Sequence, residues 1–129
     1  MNELAIWSEE FLDLSLTAGV LAKFDRYVNL LLEWNQKFNL TSITDIKEIL
    51  VKHFFDSLTC FDLIPRAGDY SLIDLGTGAG FPGIPLKIIN PEMNLTLMDS
   101  VRKKTDFCEM VVRELDLEDV RVIHARVEI

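Results

Sequence analysis

The stretch Ser71–Leu86, SLIDLGTGAGFPGIPL, constrains the fold of this chain more than any other. A short apolar segment runs into four glycines, at positions 76, 78, 80 and 83, and a proline-marked helix start follows. Glycine costs conformational entropy on folding, so a turn this rich in glycine indicates a sharp bend or a bound ligand. After a buried strand, that ligand is usually a nucleotide-containing cofactor. The stretch therefore predicts strand, tight turn and helix, with a cofactor at the turn.

Two frames through these glycines predict different cofactors. The residues GAGFPG at 78–83 fit the pattern G-x-G-x-x-G, in which the pyrophosphate of a dinucleotide such as NAD lies on a helix N-terminus. The second frame begins at Asp74, an acid two residues before the alternating glycines Gly76, Gly78 and Gly80. A carboxylate there would repel a pyrophosphate but suits S-adenosylmethionine, which carries an ammonium and a sulfonium. We therefore favour S-adenosylmethionine, with an NAD-dependent oxidoreductase or a turn that only packs helix on sheet as alternatives.

Two further strands follow the glycine turn. Residues 94–98 predict a second strand that ends at Asp99, 19 residues past Gly80, where a carboxylate can accept the hydroxyls of a ribose. Ser100 is predicted to cap the next helix, and residues 120–124 predict a third strand. The order β-α-β-α-β predicts a parallel sheet with the spatial order 3-2-1. Its first strand is apolar on both faces and is predicted to be central, so an uncovered edge there favours self-association.

The chain before the turn predicts helices. Ser8, followed by two acids, is a start signal for a first short helix, which ends near Thr17–Gly19 and has the apolar period Leu4, Trp7, Phe11 and Leu14. We expect a second helix over about five turns to Phe38, and a third from Asp45 onward. The chain thus divides into a helical region, residues 1–66, and a sheet region, residues 67–129. His53 falls on the apolar side of the third helix, which favours a hydrogen-bonded core residue, with Asp56 as a candidate partner, over a ligand or base.

Composition limits the partners of this chain. Its formal charge is −8, and residues 1–66 and 67–129 each contribute −4, so any contact with RNA must use local basic patches such as Arg102, Lys103 and Lys104. That basic trio fits a solvated helix face or a phosphate contact. Acidic residues near the N-terminus and the lack of a long apolar run predict a cytoplasmic protein with no membrane segment. Cys60 and Cys108 have no metal-ligand spacing.

Several motifs together resemble the RsmG family, also called GidB, whose members are bacterial 16S ribosomal RNA guanine-N7 methyltransferases. The motifs lie along nearly the whole chain: LEWNQKFNLT at 32–41, HFFDSL at 53–58, DLGTGAGFPGIPL at 74–86, LMDS at 97–100 and RVE at 126–128. The glycine turn alone would indicate a class I methyltransferase, and the two upstream motifs make the resemblance specific.

The resemblance implies a helical region followed by a Rossmann-like methyltransferase sheet of seven strands, of which three lie in this chain. It also implies cofactor contacts in the glycine turn and after the second and third strands, at Gly76, Phe81, Asp99, Ser100, Val101, Val127 and Glu128. Gly78 and Gly80 would allow the close approach of the backbone, and Asp74 would orient the methionine end. No catalytic base is expected, because guanine N7 attacks with a free lone pair and loses no proton.

The resemblance further implies that the remaining strands and an arginine-bearing segment lie beyond residue 129. We therefore expect this chain to be the N-terminal portion of a longer methyltransferase. A cofactor-binding or RNA-docking remnant without turnover is the non-enzymatic alternative. The expected partner is 16S ribosomal RNA in the small ribosomal subunit.

Overall fold

A computed structural model describes residues 1–42, 45–126 and 128. The helical region contains α1 (Asn2–Leu12), α2 (Ala18–Phe38) and a continuous helical run over residues 46–62. This run consists of α3 (Ile46–Glu48), a π-helical segment (Ile49–Phe55), α4 (Asp56–Leu58) and a 3-10 turn (Thr59–Asp62). The sheet region contains β1 (Ser71–Leu75), α5 (Gly83–Ile89), β2 (Asn94–Asp99), α6 (Arg102–Glu114) and β3 (Val120–His124). No helix in the described ranges has the length and apolar character needed to cross a membrane.

The first helix differs from its prediction. It begins at Asn2 instead of Ser8, because Leu4, Ser8 and Leu12 form the buried stripe of one helix face. It ends at Leu12, where Asp13 takes a left-handed conformation with φ of 51°. The guanidinium of Arg66 donates hydrogen bonds to the carbonyls of Leu12 and Asp13, which satisfies acceptors that a helix end leaves free.

The second helix runs as predicted and starts at a cap. The hydroxyl of Thr17 accepts a hydrogen bond from the amide of Val20 at 3.2 Å, which satisfies one of the free donors of the first turn. The predicted apolar side is buried at Phe24, Val28 and Leu31, whereas Phe38 at the end of the helix is exposed. The third run also begins after Asp45, although the Asp45 side chain makes no capping hydrogen bond.

The sheet has the predicted topology. Three parallel strands lie in the order β1-β2-β3, with Asp74 opposite Leu97 and Asp99 opposite His124. Leu95 and Leu97 point toward α5 and are buried, and the core there is continuous with that of the helical region. On the other face of β1, Ile73 and Leu75 are 62% and 57% exposed. Among the described residues β1 pairs with β2 alone, so self-association through this edge stays a prediction.

Candidate cofactor site

A cavity of about 370 Å³ lies at the carboxyl ends of the three strands. Its lining includes Gly76, Asp99 and Ser100, which the sequence predicts as cofactor-binding residues. It also includes Leu75, Met98, Ala125 and Arg126. In an open parallel sheet, ligands bind outside the carboxyl ends of the strands, so this is the edge at which a cofactor is expected.

The glycine turn is fixed by backbone hydrogen bonds at both ends. The amides of Gly76 and Thr77 donate to the carbonyl of Met98 at 2.8 and 3.0 Å, which ties the start of the turn to the end of β2. The amides of Gly80 and Phe81 both donate to the carbonyl of Thr77 at 3.0 Å, which closes the turn on itself.

The four glycines of this turn fall into two pairs. Gly76 and Gly78, here the open half, have φ of +69° and +60°, and a Cβ added at either would meet no described atom within 4 Å. Gly80 and Gly83, here the packed half, have no such space. A Cβ at Gly80 would lie 2.5 Å from Ile84 Cδ1, and one at Gly83 would lie 2.6 Å from Leu97 Cδ2. Space beside the backbone is therefore confined to the open half.

The Asp74 carboxylate points into the protein. Its Oδ2 accepts hydrogen bonds from the Thr77 hydroxyl at 2.7 Å and from the Gly83 amide at 2.8 Å, so it joins β1, the turn and the start of α5. Burial raises the pKa of Asp74, and the charge of Asp99 acts in the same direction, whereas the two hydrogen bonds act against them. The structure thus gives Asp74 a bracing position within the turn.

The Asp99 carboxylate braces the open half from the opposite side. Its Oδ2 accepts a hydrogen bond from the Gly78 amide at 2.9 Å, and its Oδ1 accepts one from the Val101 amide at 2.9 Å. The bond to Val101 fixes the backbone immediately before the start of α6. The helix begins after Val101, which is the N-cap residue and makes no side-chain capping hydrogen bond, so the predicted Ser100 cap is wrong.

The surroundings of the turn are acidic and leave a nearby thiol protonated. Burial raises the pKa of Cys108, and the charges of Asp74 and Asp99 raise it further. Its Sγ lies 3.4 Å from the Gly78 carbonyl and donates to it. Two carboxylates that are each 8% exposed therefore lie beneath the glycine turn, which favours a cationic ligand over an anionic one.

Phe81 lies away from the cavity at the strand ends. Its ring is stacked between Tyr27 of α2, at 5.4 Å between centroids, and His53 of the π-helical segment, at 4.3 Å. Val101 and Glu128 are exposed after β2 and β3, whereas Val127 lies outside the described residues. The structure thus brings Gly76, Asp99 and Ser100 to one cavity and places Gly80 and Phe81 against the helical region.

Three residues of the site were not predicted from the sequence. Thr77 and Tyr27 hold the turn through hydrogen bonds to Asp74 and to the Ala79 carbonyl, and Arg126 lines the cavity. Tyr27 has the helical spacing of the buried side of α2, three residues after Phe24, so its burial could have been predicted from that period. Its contact with the turn could not, because it depends on how α2 packs.

A parallel β-α-β-α-β unit with a glycine turn and acidic side chains at one sheet edge defines a Rossmann-like α/β protein with a candidate nucleotide-cofactor site. The family model for GidB, rRNA small subunit methyltransferase G, matches residues 20–129. The chain therefore belongs to the GidB family, which confirms the resemblance seen in its motifs.

The chain is also similar to individual members of that family. It is 44% identical to the ribosomal RNA small subunit methyltransferase G of Desulforamulus reducens, over 99% of this chain and 55% of that protein. Identity to the protein of the same name from Desulfitobacterium hafniense is 50%, over 91% of this chain and 48% of that protein. Identity to the protein of the same name from Alkaliphilus metalliredigens is 52%, over 79% of this chain and 43% of that protein. The chain spans about half the length of these curated relatives.

Proposed function

We propose that this chain carries the S-adenosylmethionine site of an enzyme that methylates N7 of a guanine in 16S ribosomal RNA, in the cytoplasm. The hydrogen bond from the Gly83 amide to Asp74 is the observation that carries the choice of cofactor. In a dinucleotide site the first amides of this helix would face a pyrophosphate. Here the protein's own carboxylate accepts from that amide, so a second anion is disfavoured and a cationic cofactor is favoured.

The open half fits such a cofactor. The absence of described atoms within 4 Å of the Cβ positions of Gly76 and Gly78 leaves room for a ligand against the backbone. Asp99 keeps lone pairs beyond its two backbone hydrogen bonds, and these can accept the hydroxyls of a ribose. Ser100 and Arg126 complete that side of the cavity. We assign supporting cofactor contacts to Val101, Val127 and Glu128, and to Gly80 and Phe81 the indirect role of holding the turn against the helical region.

The chemistry asks little of the side chains beyond placement. When bound, S-adenosylmethionine supplies a methyl group on a sulfonium, which makes that carbon electrophilic. The guanine N7 lone pair is free at neutral pH, so no residue has to remove a proton. The turn, Asp74 and Asp99 hold one reactant in a fixed position, and such placement can contribute about 7–11 kcal/mol to lowering a bimolecular barrier.

For the RNA we assign a local basic patch at the start of α6. Arg102, Lys103 and Lys104 lie directly after the cofactor strand end, and the Lys103 ammonium is 5.3 Å from the centroid of the Phe38 ring. Within the described part of the chain, the two ion pairs are Arg26 with Glu114 and Lys52 with Glu48, so the trio remains available for phosphates. Positive charges in the first turn of a helix are unfavourable next to the positive end of the helix dipole. Their presence at the start of α6 therefore supports a binding role, for which local stability is given up.

Transfer of a labelled methyl group tests this proposal. The complete protein is incubated with labelled S-adenosylmethionine and small ribosomal subunits that lack N7-methylguanine, and the RNA is digested to nucleosides. Label in N7-methylguanine from the 16S RNA, and slower labelling by an Asp99→Ala variant when S-adenosylmethionine is below saturation, is the expected result. Absence of label with the unaltered protein, while S-adenosylhomocysteine still binds, would leave a cofactor-binding chain without turnover. Binding of NAD in its place would support the oxidoreductase.

A further inference from the structure

Two rings of the helical region stack on Phe81 of the glycine turn. The Phe81 ring lies between Tyr27 and His53, with interplanar angles of 12° to the former and 1° to the latter. Such parallel contacts restrict how Phe81 can move, because a shift of the ring in either direction meets another ring. Phe81 is joined by its amide to the Thr77 carbonyl, so its position is linked to that of the open half.

Tyr27 is the fixed side of this stack. Its side chain is fully buried, and its hydroxyl donates a hydrogen bond to the Ala79 carbonyl at 2.5 Å. Burial raises the pKa of Tyr27, so the hydroxyl stays protonated and remains a donor. The turn is thus held on α2 by a contact between residues far apart in the sequence.

His53 is the other side of the stack, and polar contacts hold it in place. Its Nε2 lies 3.0 Å from the Thr41 hydroxyl, and the Thr41 amide donates to Oδ1 of the buried Asn35 at 2.8 Å. The hydrogen-bond partner of His53 is therefore Thr41, whereas Asp56 acts through its charge. Burial lowers the pKa of His53, and the smaller effect of the Asp56 charge raises it. His53 also lies in the π-helical segment Ile49–Phe55, a rare backbone form that is frequent at functional sites.

We propose that His53 is a positioning residue that presses Phe81 against Tyr27 and so holds the glycine turn in its cofactor-binding form. This inference rests on the proposed function. It gives the WNxxFNLT and HFFDSL motifs a common role, because Asn35, Thr41 and His53 form one chain of contacts that ends at Phe81. The helical region then belongs to the cofactor site although none of these three residues lines the cavity.

The test compares variants of the complete protein by titration with S-adenosylhomocysteine, at a temperature where circular dichroism shows each to be folded. His53→Ala removes the stacked ring, and Phe55→Ala is the matched control, because Phe55 lies in the same segment and contacts Trp7 and Phe11. We expect His53→Ala to weaken binding about threefold to tenfold, the range of an aromatic pair, and Phe55→Ala to leave it unchanged.

Two more variants separate stacking from general stability. His53→Phe keeps a ring on Phe81 and is expected to restore affinity, whereas His53→Gln keeps a polar group near Thr41 without a ring and is not. In a Phe81→Leu background, His53→Ala should have no further effect on affinity.

Equal affinity for His53→Ala and the unaltered protein would overturn the positioning role. So would an equal loss in Phe55→Ala, or tighter binding by His53→Gln than by His53→Phe. If the unaltered protein fails to bind S-adenosylhomocysteine, the proposed function itself is contradicted, and the positioning role with it.

Discussion

The two halves of the glycine turn use the same residue for different physical reasons. In the packed half, the missing Cβ lets α5 and α2 lie directly on the turn, since Ile84 and Tyr27 occupy the space at Gly80. In the open half, the space stays free and both backbones are left-handed. A glycine pattern in a sequence therefore combines a packing requirement with a ligand requirement. Substitutions in the packed half should mainly lower stability, whereas substitutions in the open half should mainly lower cofactor affinity.

The largest expected effect is on stability, in the packed half. Gly80→Ala places a Cβ 2.5 Å from Ile84 Cδ1 and 2.6 Å from the Tyr27 hydroxyl, at a φ of +102°. We expect the free energy of unfolding to fall by about 3 kcal/mol or more, from overpacking and backbone strain together. Urea unfolding measures it, with Gly19→Ala in α2 as the control, where the nearest atom is 4.0 Å away. An equal loss of unfolding free energy in Gly80→Ala and Gly19→Ala would contradict the close packing around Gly80.

In the open half, affinity should change more than stability. Gly78→Ala adds a methyl group where no described atom lies within 4 Å, so the unfolding free energy should fall by only about 1–2 kcal/mol, for the left-handed backbone. The same methyl group occupies the proposed ligand space, and calorimetry should show S-adenosylhomocysteine binding weakened about tenfold or more. Retention of full affinity would show that the open half does not face the ligand.

A smaller loss of affinity is expected at the strand end beside the open half. Asp99→Ala removes the proposed ribose acceptor and the acceptor of the Gly78 amide. We expect the binding free energy of S-adenosylhomocysteine to weaken by about 1 kcal/mol or more, as for a hydrogen bond to a charged group. Asp99→Asn is the control, because it keeps a neutral acceptor and should lose less. Unchanged affinity in Asp99→Ala would refute the ribose contact.

The smallest effect concerns Asp74, which joins the two halves. Its pKa is raised by burial, so the folded protein holds this proton more tightly than the unfolded chain does. The stability that this proton provides is complete below the ordinary pKa of 3.8 and is lost as pH rises through the raised value. Asp74→Asn keeps an acceptor for Thr77 and Gly83 without titrating. It should therefore gain stability relative to the unaltered protein as pH rises from 4 toward neutrality, whereas parallel pH curves would exclude a raised pKa.

The sequence reasoning succeeded where local pattern decides structure. Strands at 71–75, 94–99 and 120–124 and their parallel order follow from short apolar runs, turn glycines and the rules of β-α-β connections. The start of α1 was wrong, because Ser8 resembles a cap but lies on the buried face. The apolar period that starts at Leu4 already extends in front of Ser8, and the buried face of Leu4, Ser8 and Leu12 shows that helical period overrides the cap signal.

The candidate site was predictable in part for the same reason. Gly76, Asp99 and Ser100 lie at strand ends, and strand ends of a parallel sheet share one edge, so their meeting follows from topology. The inward direction of Asp74 and the place of Phe81 between Tyr27 and His53 depend on tertiary packing. No local period encodes the approach of α2 and the π-helical segment to the turn.

The most direct test of the account is a nuclear magnetic resonance titration of the ¹⁵N-labelled complete protein with S-adenosylhomocysteine and, separately, with NAD. We expect S-adenosylhomocysteine to shift the amide signals of Gly76, Gly78 and Asp99 most strongly, and that of Gly83 in the packed half only slightly. NAD should leave the positions of all four amide signals unchanged. Shifts caused by NAD and not by S-adenosylhomocysteine, or an open half that responds to neither, would contradict it.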